Sequence, residues 1–287
     1  TIGKEEHDAA SKVLKSGQLS FFLGEISKDF LGGKNVKKFE AKIAKFYNVK
    51  HAIAVNSWTS GLVCAVGALA LKPGDEIILP TWTMTACSSA ILHWNYIPVF
   101  ADIDSNTFNI SPKSIVKKIT KRTKAIMAVD IFGYPSNIIE IKKIAKMHNL
   151  KIISDCAQSP YSFIRGKHAC NYADIAGFSY NYHKHINTGE GGVVVTNNYT
   201  YAERIRLIRN HGEKIISQKI DYIIISPGID IYKCNLSKFL KKNLRKINTD
   251  LDVFFSLYHN NKNITITGTN GKSTTSKILP FKTLTNF

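Results

Sequence analysis

Seven short apolar runs, rich in β-branched residues, recur between residues 51 and 197. The runs are HAIAVN (51–56), DEIILP (75–80), IPVFADI (97–103), KAIMAVDIF (124–132), KIISD (151–155), IAGFSY (175–180) and GGVVVTN (191–197). Between most of them lie segments with helical spacing of apolar residues, such as SGLVCAVGALALK, TACSSAILHWN and NIIEIKKIAKMHN. Strands that alternate with helices predict an α/β domain with a mainly parallel sheet.

The composition favours a folded protein in a reducing compartment. Of the 287 residues 44% are hydrophobic, which is enough for a substantial core and excludes global disorder. The five cysteines are odd in number and none is paired in a CxxC motif, which favours a cytoplasmic setting over a disulfide framework or zinc site. No run approaches the ~20 apolar residues of a membrane span, and the polar start TIGKEEHDAA is unlike a signal peptide. Because the chain begins with Thr1, we expect its true start to lie upstream.

The formal net charge of +18 is compatible with nucleic acid, a membrane surface or an anionic substrate. Its densest groups, KKITKRTK (117–124) and KKNLRK (241–246), lie in helix-like stretches and are typical of solvated helix faces. No nucleic-acid-binding motif accompanies them, so we expect neither a nucleic-acid partner nor a membrane partner. An anionic, nucleotide-linked substrate remains compatible with the charge.

Polar residues gather where the predicted strands end. Asp155 ends a buried strand and Gln158 follows it, while the hydroxyl-rich turn 57–61 precedes a helix. Ser179 stands five residues before Lys184, which is followed by the glycine cluster TGEGG. In parallel sheets, binding residues lie at the carboxyl ends of the strands, so these groups are expected to share one site.

This set of groups matches the chemistry of pyridoxal phosphate. The cofactor needs a lysine amine for a Schiff base, a carboxylate to keep its pyridine nitrogen protonated, and N–H and hydroxyl donors for its phosphate. His183 and His185 flank the lysine and either assist its chemistry or serve as structural hydrogen-bonding groups. Each signal alone is common in turns and helix caps, and their combination within one α/β domain carries the prediction.

Several motifs resemble the DegT/DnrJ/EryC1/StrS family of sugar aminotransferases. They are NSWTSGL, PGDEIILPTWT, PVFADID, DCAQSP and FSYNYHKHINTGEGG, and the resemblance covers about residues 1–213. It implies a fold-type-I pyridoxal phosphate enzyme that moves an amino group, usually from glutamate, to a keto group of a nucleotide-diphosphate sugar. It also implies a role in amino-sugar or surface-polysaccharide synthesis and a homodimer with shared active sites.

The same resemblance assigns a role to each motif residue. Lys184 would form the Schiff base and act as general base and acid, Asp155 would pair with the pyridine nitrogen, and Gln158 would lie on the oxygen side of the ring.

Thr59, Ser60 and Ser179 would hold the phosphate. The family often stacks an aromatic residue on the ring; here Met84 occupies that position, with Trp82 two residues earlier.

The last part of the chain resembles a different family. Its motifs DYIIISPGID (221–230), LSKFLKKN (236–243), TDLDVFFS (249–256) and NITITGTNGKSTTSKIL (263–279) are similar to Mur ligases, closest to UDP-N-acetylmuramoylalanine–D-glutamate ligase. The resemblance implies a partial α/β segment with a P-loop that binds ATP and Mg²⁺. Its loop residues would be Gly268, Asn270, Gly271, Lys272 and Ser273, with Ser273 at the metal.

The predicted organisation is an aminotransferase large domain at 1–214 and a truncated Mur ligase-like segment at 215–287. Neither resemblance is complete, and a junction near residues 214–220 is compatible with a gene fusion, a decayed gene or an assembly error. Three functions follow: a pyridoxal phosphate aminotransferase, an ATP-binding Mur fragment, or a non-catalytic remnant. The first is preferred, because it accounts for the most motifs.

Overall fold

The computed structural model of the chain describes residues 2–22, 28–212, 223–224, 230, 232–233, 237–242 and 244–248. The chain divides into two compact units, Thr1–Ile215 and Ile216–Phe287. The described elements of the second unit are β10 (Ile223–Ile224), α8 (Ser237–Lys242) and β11 (Ile247–Asn248), with β10 and β11 parallel. The predicted phosphate loop within 263–279 lies outside the described residues. In the described part of the chain, every helix is too short or too polar to cross a membrane.

The first unit opens with two amphipathic helices. Helix α1 (Lys4–Ser16) starts where Glu6 accepts a hydrogen bond from the Gly3 N–H, and ends at Gly17, whose φ of 67° suits glycine. In α2 (Lys34–Tyr47) the residues Phe39, Ile43 and Tyr47 recur every fourth position and pack against the sheet.

The remaining elements of the first unit alternate between strands and helices, as predicted. In chain order they are β1 (His51–Val55), α3 (Trp58–Ala68), β2 (Glu76–Pro80), α4 (Thr85–His93), β3 (Ile97–Ala101), α5 (Pro112–Lys118), β4 (Thr123–Val129), α6 (Ile138–Met147), β5 (Lys151–Asp155), the hairpin β6 (Phe163–Ile164) and β7 (Lys167–His168), β8 (Ile175–Ser179), β9 (Gly192–Thr196) and α7 (Tyr199–Arg209).

The seven predicted strands form one sheet in the order β1-β9-β8-β5-β4-β2-β3. Neighbours from β8 to β3 are parallel, whereas β9 runs antiparallel to both β1 and β8. The prediction of a mainly parallel α/β sheet is therefore confirmed. The parallel strands end at one edge, where Asp155 and Ser179 are the last residues of β5 and β8.

Both faces of the sheet are covered, which explains why its strands read as continuous apolar runs. On β4, Ala125, Met127 and Val129 belong to the core shared with α3, α4 and α7, while Ile126 and Ala128 face α5 and α6. This alternation is the period of two expected for a strand.

A nearly buried ion pair joins α2 to α7. Arg209 Nη1 lies 2.7 Å from Glu40 Oε1, and these side chains are 7% and 12% exposed. The same Glu40 atom accepts the N–H of Ala54 in β1, while Arg209 donates to the Ala54 carbonyl oxygen. Burial lowers the pKa of Arg209, and the adjacent Glu40 carboxylate opposes this by stabilising the charged guanidinium.

We expect Glu40→Ala to lower the free energy of unfolding by about 3–5 kcal/mol, because it leaves a buried guanidinium without its counter-charge. The control Glu140→Ala removes the exposed pair with Lys143 and is expected to cost at most about 1 kcal/mol. Urea unfolding followed by circular dichroism measures both values. Equal losses in the two variants would contradict the importance of the buried pair.

Candidate active site

Asp155 is a buried carboxylate held by hydrogen bonds at the carboxyl edge of the sheet. It is only 5% exposed. Its Oδ1 accepts hydrogen bonds from Trp58 Nε1 at 2.7 Å and from the Ala157 N–H at 2.9 Å. Its Oδ2 accepts the thiol of Cys87 at 3.4 Å. Two distant chain segments, at Trp58 and Cys87, thus converge on this carboxylate.

Burial raises the pKa of Asp155, and the hydrogen bonds from Ala157, Trp58 and Cys87, together with the charge of Lys184, oppose that rise. Ionising such a carboxylate costs free energy, and a cation placed against it offsets the cost. A protonated pyridine nitrogen is a cation of this kind. The environment of Asp155 therefore fits the role that pyridoxal phosphate requires.

Lys184 lies in the loop that joins β8 to β9 and is half-buried. Its N–H donates to the Asn181 carbonyl oxygen at 2.9 Å, and the Thr188 N–H donates to the carbonyl oxygen of Tyr180. Two glycines shape the end of the loop. Gly189 has a φ of 81°, and a Cβ on Gly192 would lie 2.7 Å from the Trp58 nitrogen, so side chains at these positions would strain the turn or its contact with α3.

The predicted phosphate-binding residues lie at the start of α3 and the end of β8. The Ser57 hydroxyl caps α3 by accepting the Ser60 N–H. In the first turn of this helix, Thr59 is exposed and Ser60 is half-buried. Ser179 pairs with Gly192, the residue that packs against the backbone of Ser57. A helix N-terminus with hydroxyl groups beside it suits a phosphate.

Gln158 stabilises a turn beside the candidate site. Its Oε1 accepts the Phe132 N–H at 2.7 Å, where Phe132 adopts a φ of 55° that is costly for a non-glycine residue. Gln158, Phe132 and His185 line a cleft of about 370 Å³. His183 is exposed and packs edge-on against Tyr182.

Met84 and Trp82, the two candidates for stacking on the cofactor ring, lie in different environments. Met84 directly precedes α4 and is 68% exposed. The Trp82 ring lies 6.1 Å from that of Phe108, which lies 6.0 Å from that of Phe132. We call Trp82, Phe108 and Phe132 the aromatic cluster.

Sequence reasoning assigned no role to three residues at this edge. Trp58 and Cys87 stand within quoted motifs but bind Asp155 only through the tertiary fold. Asp130 follows β4, is 1% exposed, and accepts the Ser136 N–H and the Ser159 hydroxyl, both at 2.9 Å. As the one acidic residue inside the apolar run 124–132, it carried a signal that could have identified it.

Among the residues that the structure describes, no group of histidine, cysteine and acidic side chains is arranged to hold a metal ion. The predicted nucleotide-binding residues Gly268, Asn270, Gly271, Lys272 and Ser273 lie outside the described residues, as does the predicted metal position at Ser273.

The model of the DegT/DnrJ/EryC1/StrS aminotransferase family matches residues 1–232, and the chain belongs to this family. The resemblance drawn from the motifs is confirmed, and the match continues past residue 213 into the part that resembles a Mur ligase. The known proteins found similar to this chain give no support to the Mur ligase-like fragment, which stays a sequence-based hypothesis.

Three known proteins illustrate the relationship. GDP-perosamine synthase of Escherichia coli O157:H7 is 40% identical over 63% of this chain and 50% of its own length. The aminotransferase from Psychrobacter cryohalolentis has a TM-score of 0.69 and 31% identity, over 80% of this chain and 55% of that one. E. coli GDP-4-keto-6-deoxy-D-mannose-3-dehydratase, with bound hydrated PLP, has a TM-score of 0.67 and 31% identity, over 74% and 53%. The chain spans about half the length of the first curated relatives it matches.

Proposed function

We propose that this chain is the large-domain part of a pyridoxal phosphate aminotransferase that acts on nucleotide-diphosphate keto sugars in amino-sugar or polysaccharide synthesis. The observation that carries the proposal is the buried Asp155 carboxylate, held by three donors at the edge of the sheet within reach of the charge of Lys184. Glutamate is the proposed amino donor.

When bound, pyridoxal phosphate supplies an electron sink for the bonds at the amino-bearing carbon. The chain's own residues hold the cofactor and move protons. The Lys184 amine would attach the cofactor and take the proton from the substrate carbon, while Asp155 would accept the ring N–H. The remaining assignments are the phosphate ligands Thr59, Ser60 and Ser179, with Gln158 and Met84 against the ring.

The name of GDP-perosamine synthase supports the choice of a nucleotide-linked sugar as substrate. The net charge of +18 suits its diphosphate.

A homodimer is proposed because the side chains of the aromatic cluster are exposed, and Phe132 is 70% exposed.

The proposed domains are residues 1–214 and residues 215–287. A cytoplasmic setting is also kept, since the four cysteines that the structure describes are buried free thiols.

The test of this function is spectroscopic. Purified protein mixed with pyridoxal phosphate is expected to develop a visible absorbance that glutamate removes, with release of 2-oxoglutarate. Stabilisation by ATP without that absorbance would favour the Mur fragment instead. A chain that shows neither signal would be the non-catalytic remnant.

The Mur-like loop gives a separate prediction. A glycine-containing loop with one lysine offers a phosphate group only backbone N–H donors and one cation, so we expect it to bind a phosphate weakly. We expect weak, Mg²⁺-dependent ATP binding that falls in Lys272→Ala and not in the control Lys262→Ala, as measured by calorimetry. Tight binding that is indifferent to Lys272, or phosphate release that depends on a muramyl peptide precursor, would contradict this expectation.

A further inference from the structure

Trp58 places a hydrogen-bond donor beneath the candidate cofactor site. It is the first residue of α3, its side chain is 5% exposed, and its indole N–H points at Asp155 from 97 positions away in the sequence. A buried indole needs a partner for its single donor, and here that partner is the carboxylate assigned to the cofactor.

Glycines on neighbouring elements hold the indole ring in one place. A Cβ on Gly61 would lie 2.6 Å from Trp58 Cε3, and a Cβ on Gly177 of β8 would overlap the far edge of the ring. The ring therefore occupies space that any larger residue at these positions would take. Because it is packed on these sides, the direction of its N–H is set by the fold.

The donors are divided unequally between the two oxygens of Asp155. Oδ1 accepts from both Trp58 Nε1 and the Ala157 N–H, which uses its two lone pairs. Among the described residues, Oδ2 accepts only the Cys87 thiol at 3.4 Å, and a thiol is a weak donor. Oδ2 thus retains an acceptor position for one more N–H.

We propose that Trp58 is a positioning residue of the aminotransferase site: its indole N–H fixes Asp155 so that Oδ2 faces the ring nitrogen of pyridoxal phosphate. The inference rests on the proposed function, because it concerns the same cofactor. It adds a residue outside the assigned set, and it assigns one carboxylate oxygen to the cofactor.

Two consequences follow from the loss of this donor. Asp155 rotates more freely, so it must be ordered when the cofactor binds, and the cofactor binds more weakly. The carboxylate also becomes more basic, because a hydrogen bond to its charged form is removed. The proton shared with the ring nitrogen then resides more on the carboxylate, and the electron sink weakens.

Trp58→Phe and Trp94→Phe form a matched pair of variants. Trp94 Nε1 donates to the Val63 carbonyl oxygen at 2.8 Å, so its replacement also removes an indole hydrogen bond, but one outside the site. We expect Trp58→Phe to weaken pyridoxal phosphate binding about tenfold, the loss typical of a hydrogen bond to a charged group. Trp94→Phe should change it by less than about twofold.

Nitrogen-15 resonances provide a readout that does not depend on activity. The chain has three tryptophans, so its indole N–H signals can be assigned with the two variants. We expect the Trp58 signal to move in Asp155→Asn and again when pyridoxal phosphate is added, while the Trp94 signal stays in place. With cofactor labelled at the ring nitrogen, Trp58→Phe should shift that resonance toward the unprotonated form.

The outcomes separate the two proposals. Failure of the wild-type chain to bind pyridoxal phosphate overturns the proposed function. Normal binding by Trp58→Phe with an unchanged ring-nitrogen resonance overturns the positioning role alone. If Trp58→Phe does not fold, the Asp155→Asn measurement still decides, since a Trp58 signal indifferent to that change also overturns the role.

Discussion

Lys184→Ala is expected to abolish covalent attachment of pyridoxal phosphate and to reduce amino transfer by about 10⁴-fold or more. The reason is that a single amine both holds the cofactor and moves the proton at the substrate carbon. Borohydride reduction followed by trypsin and mass spectrometry measures the attachment. The adduct should appear on the peptide 168–204, because a modified Lys184 blocks the one cleavage site within it.

Lys146→Ala serves as the control, since Lys146 is exposed on α6 and outside the site. It should keep the full adduct on the peptide 168–204. An adduct on another lysine in the wild-type chain, or one that persists in Lys184→Ala, would show that Lys184 was wrongly assigned.

Asp155→Asn should retain the covalent adduct but slow the half-reaction with glutamate by roughly 10²-fold or more, as expected when a preorganised charge is removed from a reacting centre. An amide cannot hold the ring nitrogen protonated, so the electron sink is lost. Stopped-flow absorbance with glutamate measures the rate. Borohydride trapping confirms that the cofactor is still bound.

Asp130→Asn is the matched control for this change. Asp130 is another buried carboxylate that directly follows a strand, and burial raises its pKa as it does that of Asp155. One of its oxygens accepts the Ser136 N–H and the other accepts the Ser159 hydroxyl. Both variants are expected to lose stability, whereas only Asp155→Asn should lose the half-reaction. Similar rates in the two would remove Asp155 from its assigned role.

Most of the sheet was predictable because its signals are local. Each of the seven apolar runs became a strand of the same sheet, with ends no more than three residues from the predicted ones. The antiparallel direction of β9 was not predicted, because the apolar run GGVVVTN does not show in which direction the strand pairs with its neighbours. The helices α1 and α2 were not predicted, although the apolar residues of α2 recur at helical spacing.

The candidate site was predicted in part. Asp155 and Ser179 could be identified because they end apolar strands, and the glycines after Lys184 indicated a tight turn. The bond between Gln158 and the Phe132 N–H had no such signal, because it joins two turns that follow different strands. The roles of all the assigned residues stay predictions, namely Thr59, Ser60, Met84, Asp155, Gln158, Ser179 and Lys184.

The sequence by itself determined the α/β alternation, the edge of the sheet at which the candidate site is predicted, and the family. These depend on periodicity and on motifs a few residues long. Only the tertiary structure decided that Trp58 and Cys87 hold Asp155, and that Glu40 neutralises Arg209 across 169 positions. Such contacts depend on strand register and on how closely glycines let a helix approach the sheet, and neither is encoded in a short stretch of chain.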